Sequence, residues 1–264
     1  RKVLDTLGDL DNVLYEIANE SGAYSTEWQY HFIRLIHQYE RHRPKQHPVG
    51  MTFQYARDKT RRGTNAALFA SPADWISPNP DGGYRDNPPA ADGTKVILSD
   101  TDHLWGIGGN PQWVWKSFCR GLNPIFMDPY TRAETSGAKG KTRATWTDHL
   151  AGPPEPDPRW EPVRRAMGQT RRFADRMNLA EAKPENRLAS SGYCLAHAAA
   201  DGAEYLVYVP EGGKVTVDLS ASPGTLTTEW FNPAAGETVA AAPTAGGGPR
   251  TFAVPFQGEA VLFL

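Results

Sequence analysis

The stretch "NVLYEIANESGAYSTEWQ" (residues 12–29) decides how this chain folds. It opens as a short apolar run, "NVLYEI", ends in the polar pair Asn19–Glu20, and passes at once into a helical pattern. In that pattern Trp28, Phe32, Leu35, Ile36 and Tyr39 recur at helical spacing, and Thr26 with Gln29 matches a capping box. A strand followed by a loop and then a helix is the repeating unit of a parallel α/β sheet.

The unit recurs. "HPVGMTF" (47–53), "AALFA" (66–70), "KVILS" (95–99) and "NPIFM" (123–127) read as further strands, each short and largely apolar, as strands covered on both faces are. Between them, "NPQWVWKSFCRG" (110–121) carries Asn110 as N-cap, Pro111 at the first helical position and Gly121 as stop. Trp113, Trp115 and Phe118 sit on this helix at core spacing. A third helix covers about 158–178, with Arg164, Arg165, Arg171, Arg172 and Arg176 read as a solvated outer face rather than an anion site.

After residue 187 the period changes to 2. "CLAHAAA", "EYLVYVP", "KVTVDLS", "LTTEWFN", "ETVAAAP", "RTFAVPF" and "EAVLFL" are short segments divided by turn residues, the signature of a β-sandwich. The expected organisation is therefore an α/β unit over 1–187 and an all-β unit over 188–264. A complete eight-fold βα barrel takes roughly 250 residues, and residues 1–187 offer five strands. The opening "RKVLDTLGDLDN" reads as the inside of a helix, with Val3, Leu4 and Leu7 on one face. The α/β unit is accordingly expected to be either a smaller open sheet or a barrel without its first three units, and the start inside a helix favours the second.

Composition narrows function. A net charge of −2 gives no electrostatic case for nucleic acid or an anionic membrane surface, and no apolar run approaches the length of a membrane-spanning helix. The two cysteines, Cys119 and Cys194, form neither a disulfide framework nor a metal spacing. No metal or cofactor is expected, and "DTDH" alone is a weak metal motif. His31 and His37 read as structural or solvated. Eight Trp among 264 residues leave room for apolar sugar-binding surfaces.

In parallel architectures chemistry gathers at the carboxyl ends of strands. The acids expected there are Glu20, then Asp100 and Asp102 in "SDTDHLWG" (99–106), Asp74 beside Trp75, and Asp128 in "MDPY". Two carboxylates flanking one bond are what glycoside hydrolysis requires. Glu16, within its strand, reads as standing away from that end.

"VLYEIANE" resembles the fourth strand of clan A glycoside hydrolases, which ends in Asn-Glu with the Glu as acid/base. "KVILSDTDHLWG" resembles the seventh strand, which carries the nucleophile, and "NPIFMDPY" the eighth unit. The sandwich with "EYLVYVPEGGKVTVDLS", "EWFNPAAGE" and "EAVLFL" is similar to the C-terminal domain labelled collagen-binding that follows apiosidase-like barrels. The resemblance implies a partial (β/α)8 TIM barrel, strands four to eight, with Glu20 as acid/base and Asp100 or Asp102 as nucleophile or base. Asn19, Asp74, Trp75, His103, Trp105 and Asp128 would line the sugar site. It also implies a carbohydrate substrate and an extracellular or periplasmic location. The family uses Glu on the seventh strand where this chain has only Asp. The alternatives are a non-catalytic carbohydrate-binding or structural relative, and adhesion through residues 188–264. The sugar, linkage, stereochemical outcome and oligomeric state are not written in the sequence.

Overall fold

The computed structural model describes residues 1–106, 108–128 and 156–264. Five strands pair in parallel and in chain order: β1 (Tyr15–Glu16), β2 (Val49–Thr52), β3 (Trp75–Ser77), β4 (Val96–Asp100) and β5 (Asn123–Ile125). Helices α1 (Lys2–Leu7), α2 (Thr26–Glu40), α3 (Asn65–Ala70), α4 (Thr101–Trp105), α5 (Pro111–Cys119) and α6 (Glu161–Ala174) accompany them.

Alternation sorts the strand residues into two faces. Val49, Met51, Ile76 and Ile97 point toward the helices and are buried in the main core. Gly50, Thr52, Trp75 and Ser77 share the opposite, concave face. Gly50 pairs with Trp75 across β2 and β3, and a Cβ there would lie 1.9 Å from the indole. Only glycine lets that ring lie on the strand.

Two sequence readings are corrected. "AALFA" is helix α3, not a strand: Thr64 Oγ1 accepts from the Ala67 amide as its cap, and alanine is the best helix former. The strand in that place is Trp75–Ser77, because a short apolar run does not by itself separate helix from strand. The capping box is also absent. A 3₁₀ turn over Ala23–Ser25 leads into α2, and Gln29 Nε2 donates to Ser25 Oγ at 2.9 Å.

Helix α2 turns Tyr30 and Ile33 into the core. Its expected apolar stripe instead borders a groove of about 390 Å³, lined by Trp28, Phe32, Leu35, Ile36, Val3 and Ile17, among others. Trp28 remains 49% exposed and Leu35 43%.

All seven period-2 segments are strands: β7 (Cys194–His197), β8 (Glu204–Val209), β9 (Lys214–Asp218), β10 (Thr225–Asn232), β11 (Glu237–Ala245), β12 (Pro249–Ala253) and β13 (Ala260–Phe263). With the short β6 (Lys183–Pro184) they form a six-stranded antiparallel sheet in the order β11-β10-β13-β8-β7-β6, and a β12-β9 ribbon. Tyr205, Val207, Val215, Val217 and Trp230 fill the core between them.

The other face of the six-stranded sheet is equally apolar. Leu206, Tyr208, Phe231 and Val261 belong to one continuous core with Trp115 of α5 and Phe173 of α6. Trp115 stacks on Tyr208, with ring centroids 6.0 Å apart. Arginines that were read as a solvated face fasten this junction: Arg172 lies over Phe231, and Arg176 lies over Phe263 while pairing with Glu229. An arginine stem covers apolar surface while its head stays wet, so Arg172 and Arg176 serve this junction while remaining exposed, as a solvated face does.

At the amino ends of the strands, His47 and Glu40 form a buried pair. The Glu40 carboxylate accepts from His47 Nδ1 at 2.9 Å and from its amide at 2.7 Å, while His47 Nε2 lies 2.9 Å from the Leu10 carbonyl. Only an imidazolium donates from both nitrogens. The Leu10 carbonyl, then Glu40, raise the His47 pKa against burial.

Two predictions follow from this packing. A histidine whose folded pKa is raised stabilises fully below its unfolded value, about 6.5. Urea midpoints should therefore fall as pH rises through the higher folded pKa of His47, and His47→Gln should flatten that slope. An unchanged slope in the variant would remove His47 as its cause. Residues 188–264 expressed alone should expose the Tyr208–Phe231 face, bind a hydrophobic dye and self-associate. A stable, monomeric fragment would show that helices α5 and α6 are dispensable to it.

Candidate active site

The carboxyl ends of β1 to β4 converge on one rim. Glu20 follows β1 with φ of 49°, the one non-glycine residue with positive φ among those described. Its loop is held by a buried amide: Gln54 Nε2 donates to Thr26 Oγ1 at 3.0 Å and to the Gly22 carbonyl at 3.3 Å. Glu16 ends β1 rather than lying inside it, and accepts from Thr52 Oγ1 at 2.8 Å. It therefore stands at the carboxyl end, because the strand is shorter than its apolar run.

At the end of β4, Asp100 accepts from the Asp102 amide at 2.9 Å and caps α4. That turn places Asp102 and His103 in the first turn of a short helix. Donor atoms of Glu20, Asp102 and His103 all lie within 4.8 Å of one another. His103 Nδ1 lies 2.8 Å from Ser77 Oγ, and the Phe53 ring meets the imidazole edge-on at 6.2 Å.

Burial raises the Glu20 pKa first, with Asp102 and then Asp100 adding repulsion, while His103 and Arg62 oppose it. Burial also raises that of Asp102, reinforced by Asp100 and opposed by His103. Two full charges 4.8 Å apart repel by roughly 3 kcal/mol at an effective dielectric of 20. The pair therefore favours sharing a proton. One imidazole and two carboxylates in this radius are also donors of the kind a divalent cation accepts.

The other expected site residues divide. Asn19 adjoins Glu20 and is exposed. Asp74 stands at the amino end of β3, where it pairs with His37 Nε2 and accepts from the Val49 amide, both at 2.8 Å. Trp75 packs on Gly50 in the same lower layer. Both are remote from the rim because β3 begins at Trp75 instead of ending before it. Trp105 packs edge-on against Trp113 at 5.2 Å. Asp128 is held by Arg164 through two bonds of 2.6 and 2.7 Å; Pro129 and Tyr130 of its motif lie outside the described residues. The sequence missed Ser77, Phe53 and Gln54. Reading "WIS" as a strand would have put Ser77 at its carboxyl end.

A groove of about 710 Å³ lies elsewhere, where Asp74, Lys95 and Val96 at the amino ends of β3 and β4 face Lys183–Glu185. It contains none of the clustered acids.

This parallel sheet with an antiparallel module behind it has relatives. Among solved structures, a glycoside hydrolase aligns with 99% of this chain and 66% of its own, at 12% identity and a TM-score of 0.61. A glycoside hydrolase family 5 protein from Bacteroides vulgatus aligns with 100% and 65%, at 14% identity and a TM-score of 0.61. The likeness is one of fold, and the chain spans just under two thirds of each structure. Residues 184–262 match the family described as "Putative collagen-binding domain of a collagenase". No curated protein matches the chain. Among the described residues no helix is long and apolar enough to cross a membrane.

The left-handed backbone at Glu20 costs about 1 kcal/mol or more. Asparagine tolerates that conformation better and removes the repelled acid. Glu20→Asn should therefore raise the thermal midpoint. A lower midpoint would show that Glu20 stabilises its loop.

Proposed function

We propose that the chain is the site-bearing part of a glycoside hydrolase, with Glu20 as general acid/base and Asp102 as nucleophile. The observation that carries this is the approach of Glu20 and Asp102 to within 4.8 Å at the carboxyl rim of a parallel sheet. Asp100, as helix cap, is a positioning residue in this reading.

Glu20, whose proton affinity is raised by burial and by Asp102, protonates the glycosidic oxygen as the bond to the anomeric carbon breaks. Asp102 attacks that carbon from the other face. Glu20 then takes a proton from the water that releases the sugar. Retaining enzymes hold their carboxyls about 5–5.5 Å apart, whereas inverting ones need about 6.5–9.5 Å to seat a water. The short spacing supports retention. Tyr24, 88% exposed beside the Glu20 loop, and Tyr55, 39% exposed after β2, are the rings offered to sugar faces, in place of Trp75.

We further read residues 1–187 as strands four to eight of an eight-stranded, apiosidase-like barrel, and 188–264 as its supporting sandwich. Three observations support an absent neighbour beside β1. The α1–α2 groove is apolar and Leu4 and Tyr15 line it, exposed Trp28 and Leu35 border it, and β1 pairs on one side only among the described residues. An extracellular or periplasmic location rests on the family resemblance. The Asp in the nucleophile position favours one other reading, a non-catalytic relative that binds glycans.

Retention of configuration and variants of the full-length protein test this. On a panel of aryl glycosides, Glu20→Gln and Asp102→Asn should each lower kcat by about 10²-fold or more. Asp100→Asn, which keeps a good cap, should lose much less. Wild-type turnover in Glu20→Gln would sink the assignment, and a larger loss at Asp100 would transfer the nucleophile's role to it.

A further inference from the structure

A short basic segment stands beside the acidic rim. After β2, "YARDKTRR" (55–62) carries Arg57, Lys59, Arg61 and Arg62 against Asp58 alone, in a chain whose net charge is −2. The segment closes on itself at the carboxyl end of β2, where the Gly63 amide donates to the Gln54 carbonyl at 2.9 Å. The closed loop rests on the Glu20 turn. Gln54 Nε2 donates to the Gly22 carbonyl at 3.3 Å, and the Arg61 carbonyl oxygen lies 3.7 Å from where a Cβ on Gly22 would stand. Phe53 continues the contact, meeting the His103 ring and the Tyr55 ring edge-on, each at 6.2 Å.

Most of these cations are not spent on the protein's own acids. Asp58 pairs with Arg61 at 3.5 Å and also accepts from the Thr60 amide and hydroxyl. Arg57, Lys59 and Arg62 form no ion pair among the described residues. Arg62 is also held in place. It is half-buried, its Nε–H donates to the Ala56 carbonyl at 2.8 Å, and its guanidinium lies 4.7 Å from the centre of the Tyr55 ring. Neither Nη has a hydrogen-bond partner among the described residues. A planar fork fixed at one end and open at the other suits a carboxylate or a sulfate, which it grips through two parallel bonds.

We propose that Arg62 is a specificity residue that seats an anionic substituent of the sugar, a carboxylate or a sulfate ester, beside the Glu20–Asp102 pair, while Arg57 and Lys59 draw the charged polymer to the rim. This names a substrate class for the proposed hydrolase site and rests on that reading. The charge balance argues for it. Glu20, Asp100 and Asp102 by themselves repel an anionic sugar, and a neutral sugar needs no fixed cation next to them. A guanidinium oriented by Tyr55 and Ala56 supplies the missing attraction without first having to be ordered.

Affinity electrophoresis of the full-length protein tests this, in an Asp102→Asn background so that no polymer is cut. Polygalacturonate and alginate are set in the gel beside their carboxyl-reduced counterparts, and dextran sulfate beside plain dextran. At least one charged polymer should bind about tenfold more tightly than its neutral counterpart, and whether it is a uronate or the sulfate names the substituent. Arg62→Met should weaken that binding by about tenfold or more. Arg62→Lys keeps the charge but loses the fork, and should weaken it by less. Equal binding of charged and neutral polymers overturns the proposal, as does a charge preference that survives Arg62→Met. If Arg62→Met fails to fold by circular dichroism, Arg62→Lys decides, and undiminished affinity in it overturns the assignment. Glu20-dependent cleavage of aryl glycosides without any charge preference leaves the hydrolase reading standing and removes this one. An Arg62-dependent preference in a protein that cleaves no aryl glycoside removes hydrolysis and keeps the anionic-sugar site.

Discussion

The hydrogen bond from the Asp102 amide to the Asp100 carboxylate turns the end of a strand into the start of a helix. Without it, β4 would run on past the rim, and neither Asp102 nor His103 would turn back toward Glu20. A carboxylate at a helix start is favoured twice, by the exposed amides and by the helix dipole. The same acid raises the proton affinity of both neighbours. One residue thus shapes the rim and loads it electrostatically. That double role explains why a sequence reading could not choose between Asp100 and Asp102. Both sit at the strand end, and only the cap shows which one is spent on structure.

The rim in turn depends on how its frame is held. Helices α5 and α6 pack between the parallel sheet and the six-stranded sheet, and Trp115 touches the aromatic side chains of both α6 and the sandwich. The sheet face that would meet an external ligand is therefore filled by the chain's own helices. A family label that speaks of collagen describes residues 184–262, but the packing shows their broad apolar face already occupied.

Much of the fold was legible. Period 2 identified seven strands of the antiparallel unit but not the two-residue β6, and four of five parallel strands were marked by apolar runs. The fifth failed because "WIS" spans three residues between prolines, while "AALFA" next to it is both apolar and strongly helical. That single slip moved Asp74 and Trp75 from the lower to the upper end of the sheet, since a strand end is a position and not a composition. The Arg-rich helix face is exposed as expected, and its cation–π contacts with the sandwich were not foreseen, because such packing leaves no periodic trace. In the candidate site, Glu20 and "DTDH" were visible as chemistry beside apolar runs. Ser77 and Gln54 were not, because a lone serine or glutamine acquires meaning only from what the fold sets beside it.

The site also concentrates cost. Glu20 adopts a backbone conformation disfavoured for its side chain, in partial burial and within reach of two other acids. Each of these is unfavourable alone, and a loop acid with only a solubilising role would meet none of them. The cost is sustained by a specific frame: Gln54 ties the loop, Asp100 fixes α4, and His103 offsets part of the repulsion. The raised proton affinity of Glu20 and Asp102 comes first from burial and then from the neighbouring carboxylates, and it is the property that the proposed general acid needs.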